Sequence, residues 1–268
     1  IGGRPASGQA RRRVVAALDR VRAMAGIDAR ARVESRNDFP AGTGLASSAS
    51  AFAALSLASV RAAGLDLDEA ALSRLARLGS GSACRSVPSG FCLWEGDTDT
   101  TSYARQVVPP RHWDLFDVIA IVTRKHKAVS SQEGHGLAFT SPFHEARVET
   151  VPGLLETVIT GIRERNLWAM GPAIEGDALA MHGVMMTSSP SLLYWEPATV
   201  AVLQAIRAWR EEGFGAFFTL DAGPNVHCLC RSGDAAALAG RLRNLAGVQD
   251  VLVSGCGPGV RAVEDRLF

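Results

Sequence analysis

Three stretches of this chain gather small, hydroxylated and charged residues in patterns that can do chemistry. The first runs Pro40-Ala41-Gly42-Thr43-Gly44-Leu45-Ala46-Ser47-Ser48. Small residues let a backbone approach a ligand closely. A helix opening after Gly44 aims free N–H groups and the positive end of its dipole at whatever sits there. Ser47 and Ser48 add hydroxyl donors, so the stretch suits a phosphate, without the Gly-Lys-Ser/Thr ending of a Walker loop. The same residues also read as an N-capped helix with small side chains for tight packing.

The second stretch, Gly79-Ser80-Gly81-Ser82-Ala83-Cys84-Arg85-Ser86, puts three serines and one arginine into eight residues. Arg85 offers a planar fork for carboxylate or phosphate, and the serines offer compact donors. A solvated loop after a helix is the other reading. The third, Leu220-Asp221-Ala222-Gly223-Pro224-Asn225, places an acid at a strand end on a stiff turn. There a carboxylate suits work as a base or as an orienting group for a hydroxyl, although turn aspartates more often cap their own backbone. A fourth stretch, Ser130-Ser131-Gln132-Glu133-Gly134, follows the basic run Arg124-Lys125-His126-Lys127 and reads as a second polar wall or a solvated loop. The six histidines show no metal-ligand grouping, and a single histidine on an apolar helix, such as His182, reads as a core or surface residue.

Positioning these residues requires mixed helices and strands. Apolar spacing at Val14, Leu18 and Val21 predicts a helix over 9–25 closed by Gly26. A short alternation at 31–35 predicts a strand. An Ala-rich helix to about Ala63 follows, then a helix from the N-cap Asp68 to Leu78. Strands are expected at 90–94, 115–122, 216–220, 226–230 and 249–253, with helices over most of 141–186, at 195–212 and at 234–244. Without regular βαβ alternation this is an α+β pattern, divided near residue 114.

Composition limits the partners. The chain has 268 residues, 47% apolar and 21% charged, which is the balance of a folded protein with a real core. Lys plus Arg is 28 and Asp plus Glu 27, a net charge of +1, so neither nucleic acid nor an anionic membrane is an expected partner. No apolar run reaches the roughly 18 residues of a membrane span. Five cysteines without framework spacing predict reduced thiols and a cytoplasmic setting. The start, Ile1-Gly2-Gly3-Arg4-Pro5, has no signal core and no initiator methionine, so upstream residues are expected to have been removed or left out.

Together these pieces are more specific than any one of them. Pro40-x-x-x-Gly44-Leu-Ala-Ser-Ser-Ala is similar to the phosphate loop of the GHMP kinase superfamily. Combined with Asn37-x-Phe39-Pro40, the GSGSACRS stretch, Val129-Ser-Ser-x-Glu-Gly134 and Leu220-Asp-Ala-Gly-Pro-Asn225, it resembles the diphosphomevalonate decarboxylases from about residue 10 to the end. Met181-His182 and Leu193-Tyr194-Trp195 fit the same family.

The resemblance implies a two-lobed GHMP kinase fold. An incomplete nucleotide-binding lobe (1–114) and a ferredoxin-like lobe (115–268) would hold the active site between them. It also implies ATP and Mg²⁺, a 5-phosphorylated mevalonate as substrate, and a homodimer. Asp221 and Arg85 are the implied catalytic pair, with Arg85 on the substrate carboxylate and keeping Asp221 ionised. Ser80, Ser82 and Ser131 would bind the 5-phosphates. Gly44, Ser47 and Ser48 would hold the ATP phosphates, with Ser35 and Asn37 near the nucleotide. Two departures stand out. The family's Lys-Tyr-Trp-Gly-Lys-like motif is absent, and Gln132 occupies a position where some members carry arginine. The second leaves a monophosphate substrate open, as in the phosphomevalonate decarboxylases, and a superfamily kinase that stops after phosphorylation is the further alternative.

Overall fold

The computed structural model describes residues 1–39, 47–125 and 131–263, and of residues 131–133 the backbone alone. It is a mixed helix and sheet protein in two units. Among the described residues, one gathers 1–39, 47–110 and the tail 257–263, and the other spans Arg111–Cys256. The tail joins the first unit through backbone hydrogen bonds, Gly90 N–H to Gly257 C=O at 2.9 Å and Val260 N–H to Val87 C=O at 3.2 Å. A division at residue 114 assigns that tail to the other lobe.

In the first unit, helices α1 (Gly8–Ala25), α2 (Ser47–Ala62) and α3 (Glu69–Gly79) bury Val21, Phe52, Ala53, Val60, Leu72 and Leu75 against one another. Gly26 ends α1 in the left-handed region at φ 64°, which a residue without Cβ adopts at no steric cost. Asp68 caps α3 by accepting from Ala71 N–H at 2.7 Å. A Cβ on Gly79 would overlap the Phe52 ring, so this close approach of α3 to α2 demands glycine. A 3₁₀ turn (Gly81–Ser86) follows, and then a hairpin of β1 (Phe91–Glu95) and β2 (Tyr103–Val108).

The strand expected at 31–35 does not form. Those residues adopt neither helix nor strand, and among the described residues a backbone bond runs there from Gly2 N–H to Ser35 C=O, too little to make a ladder. Conversely, β2 is a strand that the sequence pattern does not signal. Its Arg105 and Gln106 interrupt the apolar pattern, and pairing with β1 decides its conformation.

Ser73, fully buried on α3, donates to Cys84 C=O at 3.1 Å and accepts from Ala104 N–H at 2.9 Å. It ties the 3₁₀ turn that carries Arg85 to β2. Ser73→Ala leaves both buried backbone groups without this partner and is expected to cost about 2 kcal/mol of stability. Urea unfolding should show a lower midpoint with an unchanged slope.

In the second unit, β3 (Leu115–Ile121), β4 (Ala216–Thr219), β5 (Val226–Arg231) and β6 (Asp250–Gly255) form one antiparallel sheet in the order β4-β5-β3-β6. Register places Val118 opposite Cys228 and Ala120 opposite Val226. These residues, with Phe218 and Cys230, make one apolar face. Helices α7 (Pro197–Glu211) and α8 (Ser232–Arg243) cover it with Val202, Leu203, Ile206, Leu238 and Leu242.

Between β3 and β4 lie α4 (Ser131–Leu137) and two packed helices, α5 (His144–Glu164) and α6 (Leu167–Thr187). Helix α6 serves the free edge of β4. Its buried Glu175 accepts from Phe218 N–H at 3.1 Å and pairs with Arg210 at 2.6 Å. An edge N–H and two charges thereby satisfy one another away from water.

None of the five cysteines is in a disulfide. Burial pushes the Cys230 thiol up to about 12 and Cys228 well upward too, so both stay protonated. No helix among the described residues is long and apolar enough to cross a membrane.

Candidate active site

Of the expected site residues, Ser47, Ser48, Ser80, Ser82 and Arg85 lie in one unit and Asp221 stands in the other. In the first, α2 opens at Ser47, and Ser48 Oγ lies 3.0 Å from Ser80 Oγ. The start of α2 and the serine loop therefore meet through a hydroxyl pair. Ser82 and Arg85 sit on the 3₁₀ turn that Ser80 opens. The start of that turn is anchored from α1. Arg13 donates to Gly79 C=O at 2.8 Å while its guanidinium lies 4.7 Å from the centroid of the Phe52 ring. Burial lowers the pKa of Arg13, but a guanidinium titrates so high that it stays charged.

Arg85 is exposed, stacks over Trp94 at 5.7 Å, and forms no ion pair among the described residues. Arg74 and Arg77, by contrast, both engage Asp99. Trp94 is itself fixed, donating from Nε1 to Ser102 Oγ at 2.8 Å. Arg85 is thus an exposed guanidinium stacked on an indole.

Ser35 offers its carbonyl to Gly2, and Asn37 is half-buried nearby in sequence. Neither is joined by a hydrogen bond to the Ser48–Ser80 pair. Gly44 lies outside the described residues. Ser131 begins α4, and its side chain is likewise outside them.

The second centre is the acidic turn after β4. Asp221 is exposed, whereas Gly223, Pro224 and Asn225 behind it are buried. Three elements hold this turn. His182 on α6 donates from Nε2 to Asp221 C=O at 3.1 Å. Thr199 on α7 donates to Pro224 C=O at 2.6 Å. Asn225 accepts from Val122 N–H at 2.8 Å and Thr123 N–H at 3.2 Å, and returns a bond to Thr123 C=O at 3.2 Å. The aspartate is the one outward group on a fastened loop, a geometry suited to a positioned carboxylate.

Sequence comparison gives these centres a lineage. Residues 1–104 match the diphosphomevalonate decarboxylase-like N-terminal domain, and residues 117–255 match the mevalonate 5-diphosphate decarboxylase C-terminal domain. The chain belongs to the diphosphomevalonate decarboxylase family.

Among its relatives are the phosphomevalonate decarboxylase of Haloferax volcanii, 34% identical over 85% of this chain and 70% of that protein, and the diphosphomevalonate decarboxylase of Ganoderma lucidum, 35% identical over 72% and 52%. The chain spans about half the length of most of the curated relatives it matches. Solved structures agree on the fold. The mevalonate diphosphate decarboxylase of Staphylococcus aureus superposes with a TM-score of 0.91 at 34% identity, covering 98% of this chain and 81% of that one. That of Enterococcus faecalis gives 0.86 at 35%, covering 96% and 79%. A further structure, MDDEF in complex with MVAPP, AMPPCP and magnesium, gives 0.89 at 36%, covering 96% and 80%. The GHMP-type α+β fold expected from the motifs is the fold observed.

Within the decarboxylase fold, His182, Thr199 and Asn225 support the Asp221 turn without being among the residues expected to form the site. Asn225 is visible in the sequence as the end of the acidic motif, but its partners lie about a hundred residues away. Of the two readings of His182, core or surface, the structure shows the core. It is 1% exposed, and it also bonds the acidic turn.

Burial holds the His182 pKa below the ordinary imidazole value near 6.5, against a smaller upward pull from its bond to the Asp221 carbonyl and from the Asp221 charge. The unfolded chain therefore takes up this proton first. The contribution of His182 to stability is complete above about pH 6.5 and is lost as pH falls through the lower folded value. Native stability is expected to drop more steeply on acidification than that of His182→Gln, measured by urea unfolding at several pH values.

Proposed function

We propose that this chain catalyses the ATP-dependent decarboxylation of mevalonate 5-diphosphate to isopentenyl diphosphate, releasing ADP, phosphate and CO2. The observation that carries the reading is the pinned turn of a family carboxylate, Asp221, exposed on a buried three-point mount. The complex of MDDEF with MVAPP, AMPPCP and magnesium supports the substrate and nucleotide assignments.

The chemistry assigns work to each centre. A tertiary hydroxide leaves poorly, whereas a phosphate leaves well. Asp221 orients the C3 hydroxyl, or takes its proton, while ATP phosphorylates it. Phosphate then departs with the C3–O electrons, and positive charge grows at C3 opposite the carboxylate of Asp221. The C1–C2 bond breaks, its electrons close the new double bond, and CO2 leaves. Arg85 holds the substrate carboxylate beforehand by a forked, charge-assisted pair. Ser80, Ser82 and Ser131 take the 5-phosphates. Ser35, Asn37, Gly44, Ser47 and Ser48 take the nucleotide, where the N-terminal amides of α2 favour negative charge.

Mg²⁺ fits this donor set. Among the described residues no three His, Cys, Asp or Glu side chains group as a metal cage, and serine hydroxyls beside ATP phosphates are the hard oxygen ligands Mg²⁺ prefers. Bound there, it would neutralise phosphate charge during transfer. Free thiols support a cytoplasmic setting, and a homodimer belongs to the same proposal.

The Haloferax volcanii relative favours a second reading, decarboxylation of the 5-monophosphate, and Gln132 in place of an arginine found in some family members fits it. One assay separates them. Protein, ATP and Mg²⁺ are mixed with each phosphate in turn, and CO2 and ADP are counted. Higher kcat/KM on the diphosphate supports the first reading, and the reverse order supports the second. ADP formed without CO2 identifies a kinase and overturns both.

A further inference from the structure

We infer that His182 is a positioning residue for the reaction: its Nε2–H fixes the carbonyl of Asp221 and so sets where that residue's carboxylate points. The inference rests on the proposed role of Asp221. The Asp221 carbonyl accepts two hydrogen bonds, from Gly223 N–H at 2.7 Å, closing a tight three-residue turn, and from His182 Nε2 at 3.1 Å. Only the second comes from outside the turn. It crosses from α6 to the exit of β4, so the path of the turn is set against a helix as well as by its own residues.

The imidazole is held in the core. It is 1% exposed, and its ring packs against Trp195 at 5.4 Å and Tyr194 at 6.4 Å between centroids. A carbonyl oxygen can only accept, so Nε2 must carry the proton, which fixes the tautomer. Burial keeps the ring neutral at neutral pH, so the bond adds a donor beside Asp221 without placing a full positive charge there. Thr199 and Asn225 fasten the far end of the same turn at Pro224 and Asn225. Among the described residues, His182 fastens the end bearing the acid.

The test compares His182→Met, which fills the space without a donor, with His182→Gln, whose amide nitrogen reaches a similar position. Misplacing a reacting group by about 1 Å costs up to about a hundredfold in rate. His182→Met is expected to lose about tenfold to a hundredfold in kcat, with KM for ATP within about twofold of native, and His182→Gln to recover most of that loss. A merely structural role predicts instead that both variants lose activity in proportion to their thermal stability, with no advantage for glutamine; that result overturns the inference. Asp221→Asn is assayed alongside. If it stays active, the reading of the site fails; if it is inactive while His182→Met turns over normally, only the role of His182 fails. Nitrogen NMR of the native protein gives an arm independent of folding in variants. A proton on Nε2 at neutral pH agrees with the inference, and a proton on Nδ1 alone contradicts it.

Discussion

Asp221→Asn is expected to lower kcat at least about a hundredfold, the usual size for removing a positioned acid–base group. The substitution keeps the side chain's shape and removes its charge. The turn should survive, because the carbonyl of residue 221, Thr199 and Asn225 carry its hydrogen bonds, and the exposed carboxylate carries none of these. Thermal unfolding should therefore move little while turnover collapses. Asparagine neither accepts the hydroxyl proton nor faces a growing cation with a negative charge. Near-normal turnover in steady-state assays would reject the role assigned to Asp221.

The second large effect is expected at Arg85. Loss of a charge-assisted hydrogen bond is worth about 1.5–3 kcal/mol, or roughly tenfold to a hundredfold. Arg85→Ala should reduce kcat/KM for the phosphorylated mevalonate by about that much and leave ATP affinity within about twofold. Arg85→Lys should rescue poorly, since an ammonium cannot reproduce a planar fork or stack as well over Trp94. Stability should hardly change, because Arg85 is exposed and the turn beneath it is tied by Ser73 through Cys84. A collapse of ATP binding alone, measured by calorimetry, would move Arg85 to the nucleotide and break this assignment.

Much of the fold is legible in the sequence because its signals are local. The apolar run at 115–121, the AFFT and VHCLC strands and the Asp68 cap each state their conformation within a few residues, and each appears where the pattern puts it. The segments at 31–35 and 103–108 show the limit. A period of two is neither necessary nor sufficient for a strand; a partner decides. Residues 31–35 alternate and have no ladder among the described residues, whereas 103–108 alternate poorly and are paired by β1.

The site divides in the same way. Small, polar and acidic motifs announce Ser48, Ser80, Arg85 and Asp221, because ligand-binding loops need glycine, serine and charge close together in sequence. Their supports are not announced. Ser73, Glu175, His182 and Thr199 lie inside helices that read as plain packing, and their partners are set by tertiary approach. A buried polar residue in a helix pattern is a signal that something polar must meet it. Only the folded chain says what.

The reaction as a whole turns on the fate of one oxygen atom. Mevalonate 5-diphosphate labelled with heavy oxygen at the C3 hydroxyl, turned over by this protein with unlabelled ATP, should pass that atom into the inorganic phosphate released with CO2. Recovery of the label in water, or its retention in an organic product, would contradict phosphorylation of the alcohol and, with it, the proposed mechanism.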